Sequence, residues 1–370
     1  MKNRQIFTAT VSAFVFPALA ALSATSGAVA HRALGAASSA PAAAVSIIFR
    51  RCAVTISAGM GKQAARTDLH GPGLVLAGGG GLQMPSAALP WMRRTLDGGR
   101  KGRFGNVLAI AAGTDPGYDR PFYERGGFAS VHTALIPSCA SRAQVDSVAP
   151  LVDRADAVFF AGGDQANYVA WKDTRLIAAV KRLYARGGIV GGGSAGLAIQ
   201  GQVAFDAVVE DRLNLETHTT DAVRDPLERR LSFTKDLFSW PALRGTITDT
   251  HLVVRDRLGR LAVFMARAIH DRLLQSPDFG LGIDQASAVV VDSSGTATVL
   301  SRPGGGGAYL LRGGRAARMR LGAPILTTIS VTHIARTAER FDLLHKKSPE
   351  PWYRLVVDGS KRPPYSHNPY

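Results

Sequence analysis

Cysteine is nearly absent from this chain of 370 residues, which has only Cys52 and Cys139. They permit one intramolecular disulfide at most. Neither stands in a Cys-x-x-Cys pair, so a dithiol redox motif and a cysteine-rich zinc site are excluded. No group of His, Cys, Asp and Glu has metal-ligand spacing, and neither metal nor organic cofactor is expected. No Gly-Lys-Ser/Thr follows a glycine-rich turn, which removes a Walker-type nucleotide loop. Aromatic residues make up 7% of the chain. The formal net charge is +16, yet the arginine excess is scattered and forms no long basic run. Nucleic acid is therefore not an expected partner, whereas a basic surface suits acidic substrates. After the first thirty residues no stretch is long and apolar enough to span a bilayer, and there are no internal repeats.

What is present begins with a targeting pattern. Lys2 and Arg4 precede a nearly uncharged apolar run, Ile6 to Leu22, and Ala28-Val29-Ala30 forms a small-x-small cleavage site. Residues 1–30 thus read as a signal peptide cut near Ala30. The protein is expected in the periplasm or secreted, with no stable membrane insertion after cleavage. Pro17 and the small residues after it favour cleavage over a retained anchor. Residues 31–70 read as a linker or irregular lead-in, with Val45 to Phe49 as a candidate edge strand.

With 46% apolar residues the rest can bury a substantial core. Apolar runs at Leu74–Ala77, Asn106–Ala111, Val131–Ile136, Ala157–Ala161 and Gly188–Gly191 alternate with helical patterns. One such helix spans Asp173 to Arg186, with Asp173 as its cap and Gly187 as its stop. The alternation predicts an α/β fold: a doubly wound, mostly parallel sheet flanked by helices over residues 71–300. Residues 301–370 read as a C-terminal β-strand extension, either completing the sheet or forming an appendage. Its Pro-rich tail from Gly359 to Tyr370 is expected to fray.

Gly191-Gly192-Gly193-Ser194-Ala195-Gly196 follows a strand and opens into a helix. A serine at such a turn is pushed out of the sheet, and the helix N-terminus behind it suits a developing oxyanion. Ser194 is the candidate nucleophile, although Gly-x-Ser-x-Gly also arises by chance in a chain with 40 glycines. A serine needs a base. Among nine histidines, His251 stands out at the end of the strand-like run Thr246-Ile247-Thr248-Asp249-Thr250. Arg255, Arg257 and Arg260 follow and could rim a pocket for carboxylates. A second loop, Gly162-Gly163-Asp164-Gln165, closes another strand.

Taken in order with the glycine-rich loop Gly78–Gly81 and Gly280-Leu281-Gly282-Ile283-Asp284, these motifs resemble the cyanophycinase and peptidase E group of serine peptidases. The resemblance covers most of residues 72–300. It implies a class I glutamine amidotransferase-like fold, Ser194 as nucleophile and His251 as general base. Gly162, Gly163 and Ala195 would serve the oxyanion, and Gln165, Asp249, Arg255, Arg257 and Arg260 would line the substrate pocket. The implied partner is a peptide or cyanophycin-like polymer cut at a β-aspartyl-arginine linkage; a homodimer is also allowed. The alternatives are an aspartyl dipeptidase and a catalytically degenerate binding protein on the same scaffold. Two positions depart from the group. Gln285 stands where it usually has glutamate, and Thr250 where cyanophycinases tend to have glutamine. Glu210, Asp211 and Asp284 are the candidates for the missing acid, with Glu210 carried forward.

Overall fold

The computed structural model describes residues 52–65, 68–80, 84–113, 116–213, 215–275, 278–313 and 319–370. The signal-peptide reading and the Val45–Phe49 strand lie outside the described residues. The described chain forms two sheets. In chain order the first takes β1 (Thr55–Ile56), β2 (Met60–Gly61), β3 (Gly73–Ala77), β4 (Asn106–Ala111), β5 (Ser130–Leu135), β6 (Ala157–Phe160) and β7 (Ile189–Gly193). The second begins with β8 (Val203–Phe205), β9 (Phe233–Lys235), β10 (Thr246–Thr250) and β11 (Phe279–Ile283). The chain then returns to the first sheet for β12 (Ser287–Val291) and β13 (Thr296–Ser301), and enters the second for β14 (Ala308–Gly313) and β15 (Leu326–Ile334). Finally β16 (Arg340–Asp342) joins the first sheet and β17 (Tyr353–Asp358) the second.

The first sheet has the order β1-β5-β4-β6-β7-β3-β12-β13-β16, with β2 also on β5. Its centre, β5-β4-β6-β7-β3, is parallel throughout, and antiparallel strands flank it on both sides. The second sheet runs β17-β15-β14-β11-β10-β8-β9 and is parallel only across β8-β10-β11. The fold is thus α/β with a mostly parallel, helix-flanked central sheet. Residues beyond 300 add strands to both sheets.

Period-two alternation explains the layering. On β3, Val75 and Ala77 face the helices Ala88–Asp97 and Asp119–Gly126 through Leu89, Met92 and Phe122. Leu74 and Leu76 face the other way. They share a core with Leu281 and Ile283 of β11, Leu310 of β14 and the helix Arg175–Ala185. On the far side of the second sheet, Ile247, Tyr309 and Val331 pack against Leu261, Ala262 and Met265 of the helix Leu258–His270. Each fully buried Leu, Ile or Val contributes about 1.5–3 kcal/mol of apolar transfer.

Three expectations are corrected. Asp173 does not cap its helix: Thr174 does, accepting from the Ile177 N–H, and Asp173 lies one residue outside at φ +62°. The lead-in is not wholly irregular, because β1 and β2 pair with β5 and Cys52 is bonded to Cys139. The tail does not fray. Tyr365 and Tyr370 place their hydroxyls 2.6 and 2.7 Å from Asp256 Oδ1, and Ser366 N–H donates to Val356 O. Two aromatic rings with apolar surface to cover outweigh the loose conformation that local proline content suggests.

Candidate active site

Carboxyl ends of strands from both sheets converge at one place: β3, β6 and β7 from the first, β10 and β11 from the second. Loops at such ends are where open α/β sheets bind ligands. Ser194 follows β7 and leads directly into the short helix Ala195–Ala198. The turn is tight enough that a Cβ on Gly192 would lie 2.1 Å from Gly196 O, and one on Gly196 would lie 2.1 Å from Phe160 O. Ser194 itself sits at φ +51° and His251 at φ +52°. A non-glycine residue there costs about 1–3 kcal/mol, so the surrounding fold must impose both conformations.

Ser194 Oγ lies 2.7 Å from His251 Nε2. The ring is fixed from two further directions. The His251 backbone N–H donates to Gly78 O, and Gly79 crosses the ring so closely that a Cβ there would lie 2.4 Å from Cε1. At Nδ1 stands the Gln285 side-chain amide, with its nitrogen 2.6 Å away. A half-turn about the terminal amide bond exchanges nitrogen for oxygen at that point. The carbonyl oxygen can then accept Nδ1–H, which leaves the Nε2 lone pair facing Ser194. Burial first, then the charges of Arg255 and Arg257, push the imidazole down to about 4, so the ring is a neutral base at neutral pH.

None of the three expected acids meets this ring through a hydrogen bond. Glu210 accepts from Thr217 N–H, so its place is the cleft wall rather than the ring. Asp211 faces Asp164. Asp284 accepts from the Val253 and Val254 N–H groups at 2.9 and 3.1 Å and from Gly306 N–H at 3.1 Å. It thereby ties down the turn just after His251. Gln285, an uncharged group, fills the position instead.

A cleft of about 360 Å³ opens beside Ser194. Gly163 (φ +138°) and Ala195 line it next to the hydroxyl, and Gly162 precedes them at the end of β6. Gln165 also lines it and reaches back to Phe205 O at 3.5 Å. The arginines divide into two kinds. Arg260 is buried and fully committed: Nε and one terminal nitrogen grip Asp249 at 2.8 and 2.7 Å, and the other donates to Thr217 O. Arg260 and Asp249 are therefore a buried pair, not the free substrate contacts expected of them, because each satisfies the other's charge. Arg257 donates to Thr250 O and Oγ1 and to Glu216 Oε1, and Arg255 reaches the same Glu216 oxygen at 3.2 Å. Burial, then the charge of Arg260, push Arg257 down to about 10, which leaves it protonated at neutral pH.

The same cleft also carries acidic side chains, Asp164, Glu210 and Asp211. Burial and then contact with Asp211 raise Asp164 to about 6. Glu216 and Asp164 were not singled out from sequence as site residues. Glu216 is one glutamate in the unpatterned polar stretch 201–245, and only its meeting with two arginines gives it meaning. Among the described residues no three His, Cys, Asp or Glu side chains gather as a metal site requires, and no helix is long and apolar enough to cross a membrane.

The arrangement brings a serine hydroxyl, a neutral imidazole, a helix N-terminus and a charged cleft together, a set whose chemistry suits acyl transfer. No protein-family model matches the chain, and no curated protein does. A solved peptidase from an acI-B1 Actinobacterium is 16% identical, with 74% of this chain and 98% of that one covered at a TM-score of 0.45. A Listeria monocytogenes EGD-e protein provisionally named peptidase E is 12% identical, with 63% and 99% covered at a TM-score of 0.37.

Proposed function

We propose that this chain is an exported serine peptidase that hydrolyses a peptide bond beside an aspartyl unit. The observation carrying the proposal is the 2.7 Å contact between Ser194 Oγ and His251 Nε2 at the mouth of an arginine-bearing cleft. His251 takes the hydroxyl proton as Oγ bonds to the carbonyl carbon. Backbone N–H groups of Gly163 and Ala195 receive the oxyanion. The imidazolium then gives its proton to the leaving amine, and the C–N bond breaks to leave an ester on Ser194. Water, deprotonated by the same ring, cleaves that ester.

At finer grain the proposal is a cyanophycinase-like β-aspartyl-arginine linkage. Arg255 and Arg257 in the cleft suit a substrate carboxylate, and Asp164 with Asp211 in the same cleft suits a guanidinium. The Cys52–Cys139 bond accords with an oxidising compartment. A second reading, a binding protein on a disabled scaffold, draws on Gln285, which brings no negative charge to the ring. The test is labelling with a serine-directed fluorophosphonate, together with mass analysis of products from β-Asp-Arg polymer and a panel of Asp-x dipeptides. Labelling of the wild type, but not of Ser194→Ala, is expected. An unreactive wild type would favour the binding protein.

A further inference from the structure

Two guanidiniums in the cleft converge on a single carboxylate that belongs to the protein itself. Arg257, whose side chain is 8% exposed, and Arg255, at 45%, both donate to Oε1 of Glu216. Glu216 is 42% exposed and lines the same cleft as Ser194. The other terminal nitrogen of Arg257 donates to Thr250 O and Oγ1, and Arg260 is held by Asp249 and Thr217 O. The Glu216 carboxylate therefore occupies one terminal nitrogen on each of two guanidiniums that line the cleft.

We propose that Glu216 is an internal stand-in for a substrate carboxylate, and that an acidic ligand binds by displacing it from Arg255 and Arg257. The inference rests on the peptidase reading for the identity of the substrate, but not for the exchange itself. The pair is well suited to exchange. A buried guanidinium left without an acceptor would carry a desolvation cost, so a carboxylate kept on it preserves its place and orientation. A partner that is itself half in water gives up little when it rotates away, because exposed ion pairs are weak. A neutral ligand cannot repay the lost pair, so the exchange selects for negative charge. Glu216 would thus set specificity without touching the reacting atoms.

A site occupied by its own plug most of the time binds ligand more weakly by the fraction that is free. If Glu216 holds the arginines about nine-tenths of the time, removing its charge tightens an acidic ligand about tenfold. The experiment is calorimetric titration of N-acetyl-aspartate, with N-acetyl-asparagine as the neutral control, into wild type, Glu216→Gln and Glu216→Ala. The expected result is about tenfold tighter binding of the acid to both variants, with the gain lost when Arg255→Gln is added. Unchanged or weaker binding in the variants would overturn the proposal and make Glu216 a support for the arginines. So would an equal gain for the neutral control, or no binding in any of the proteins. Fluorophosphonate labelling of the same samples separates the two questions. An unlabelled protein that shows the binding shift loses the peptidase reading and keeps the exchange.

Discussion

The Gln285 amide meets His251 at Nδ1, 2.6 Å away, while Ser194 occupies Nε2 at 2.7 Å. The ring is oriented by a group that can choose its tautomer but cannot offset its positive charge when it takes a proton. Gln285→Glu should therefore raise kcat/KM, by about tenfold, because a carboxylate at Nδ1 stabilises the imidazolium that forms in the transition state. Steady-state kinetics on the best peptide substrate measure this. A fall in kcat/KM at full stability would show that the amide is already the optimal partner.

Acid should disable this base late. With the imidazole pushed down to about 4, the ring stays neutral well below pH 6, and a loss of activity near pH 6 would belong to Asp164, raised to about 6. Asp164→Asn should erase that inflection in the pH profile of kcat/KM while leaving the one near 4. The two groups act oppositely on stability. Between about pH 4 and 6.5 the unfolded His251 binds more protons than the folded one, so its contribution is complete above 6.5 and is lost as pH falls toward 4. Asp164 binds more protons when folded, so its contribution is complete below its unfolded value and is lost as pH rises through about 6.

Gly79→Ala should cost about a hundredfold in turnover, the usual scale for moving a catalytic group by an ångström. The added Cβ would lie 2.4 Å from His251 Cε1, and the position has φ +110°. Gly80→Ala shares the positive φ, but its Cβ would come no closer than 3.4 Å to Gln285 Oε1. Comparing the two variants by kcat and melting temperature separates ring displacement from backbone strain; equal loss of activity in both would deny the ring contact its weight.

Tyr370→Phe should lower stability by about 1–2 kcal/mol and shift the melting temperature by a few degrees. Its hydroxyl lies 2.7 Å from Asp256 Oδ1 and 3.3 Å from Leu252 O, and accepts from Leu258 N–H at 3.2 Å. These contacts brace the turn between His251 and the helix Leu258–His270, so KM for an acidic peptide should also rise as Arg255 and Arg257 loosen. Thermal melts and KM values, read side by side, check both effects.

Much of this was legible in the order of residues. Runs such as Leu74–Ala77 and Ala288–Val291 are strands because short apolar stretches bounded by turn residues have few other uses, and the Gly-x-Ser-x-Gly elbow needs only local geometry. The meeting of Ser194 with His251 could be expected from motif order. What escaped is set by long-range pairing. Arg260 lies one turn from Arg257 yet is buried against Asp249, which no periodicity reveals. Glu216 gains its partners across 39 and 41 positions. The tail tyrosines cross more than a hundred to reach Asp256, so composition alone misjudged that segment as loose.

Asp284 and Gln285 are neighbours, and they hold the same object by different handles: one grips the Val253 and Val254 amides, the other the imidazole. A local opening that frees the first would release the second. Hydrogen exchange at those two valines therefore doubles as a gauge of how often the base leaves its post, readable in the resting protein before any substrate is known.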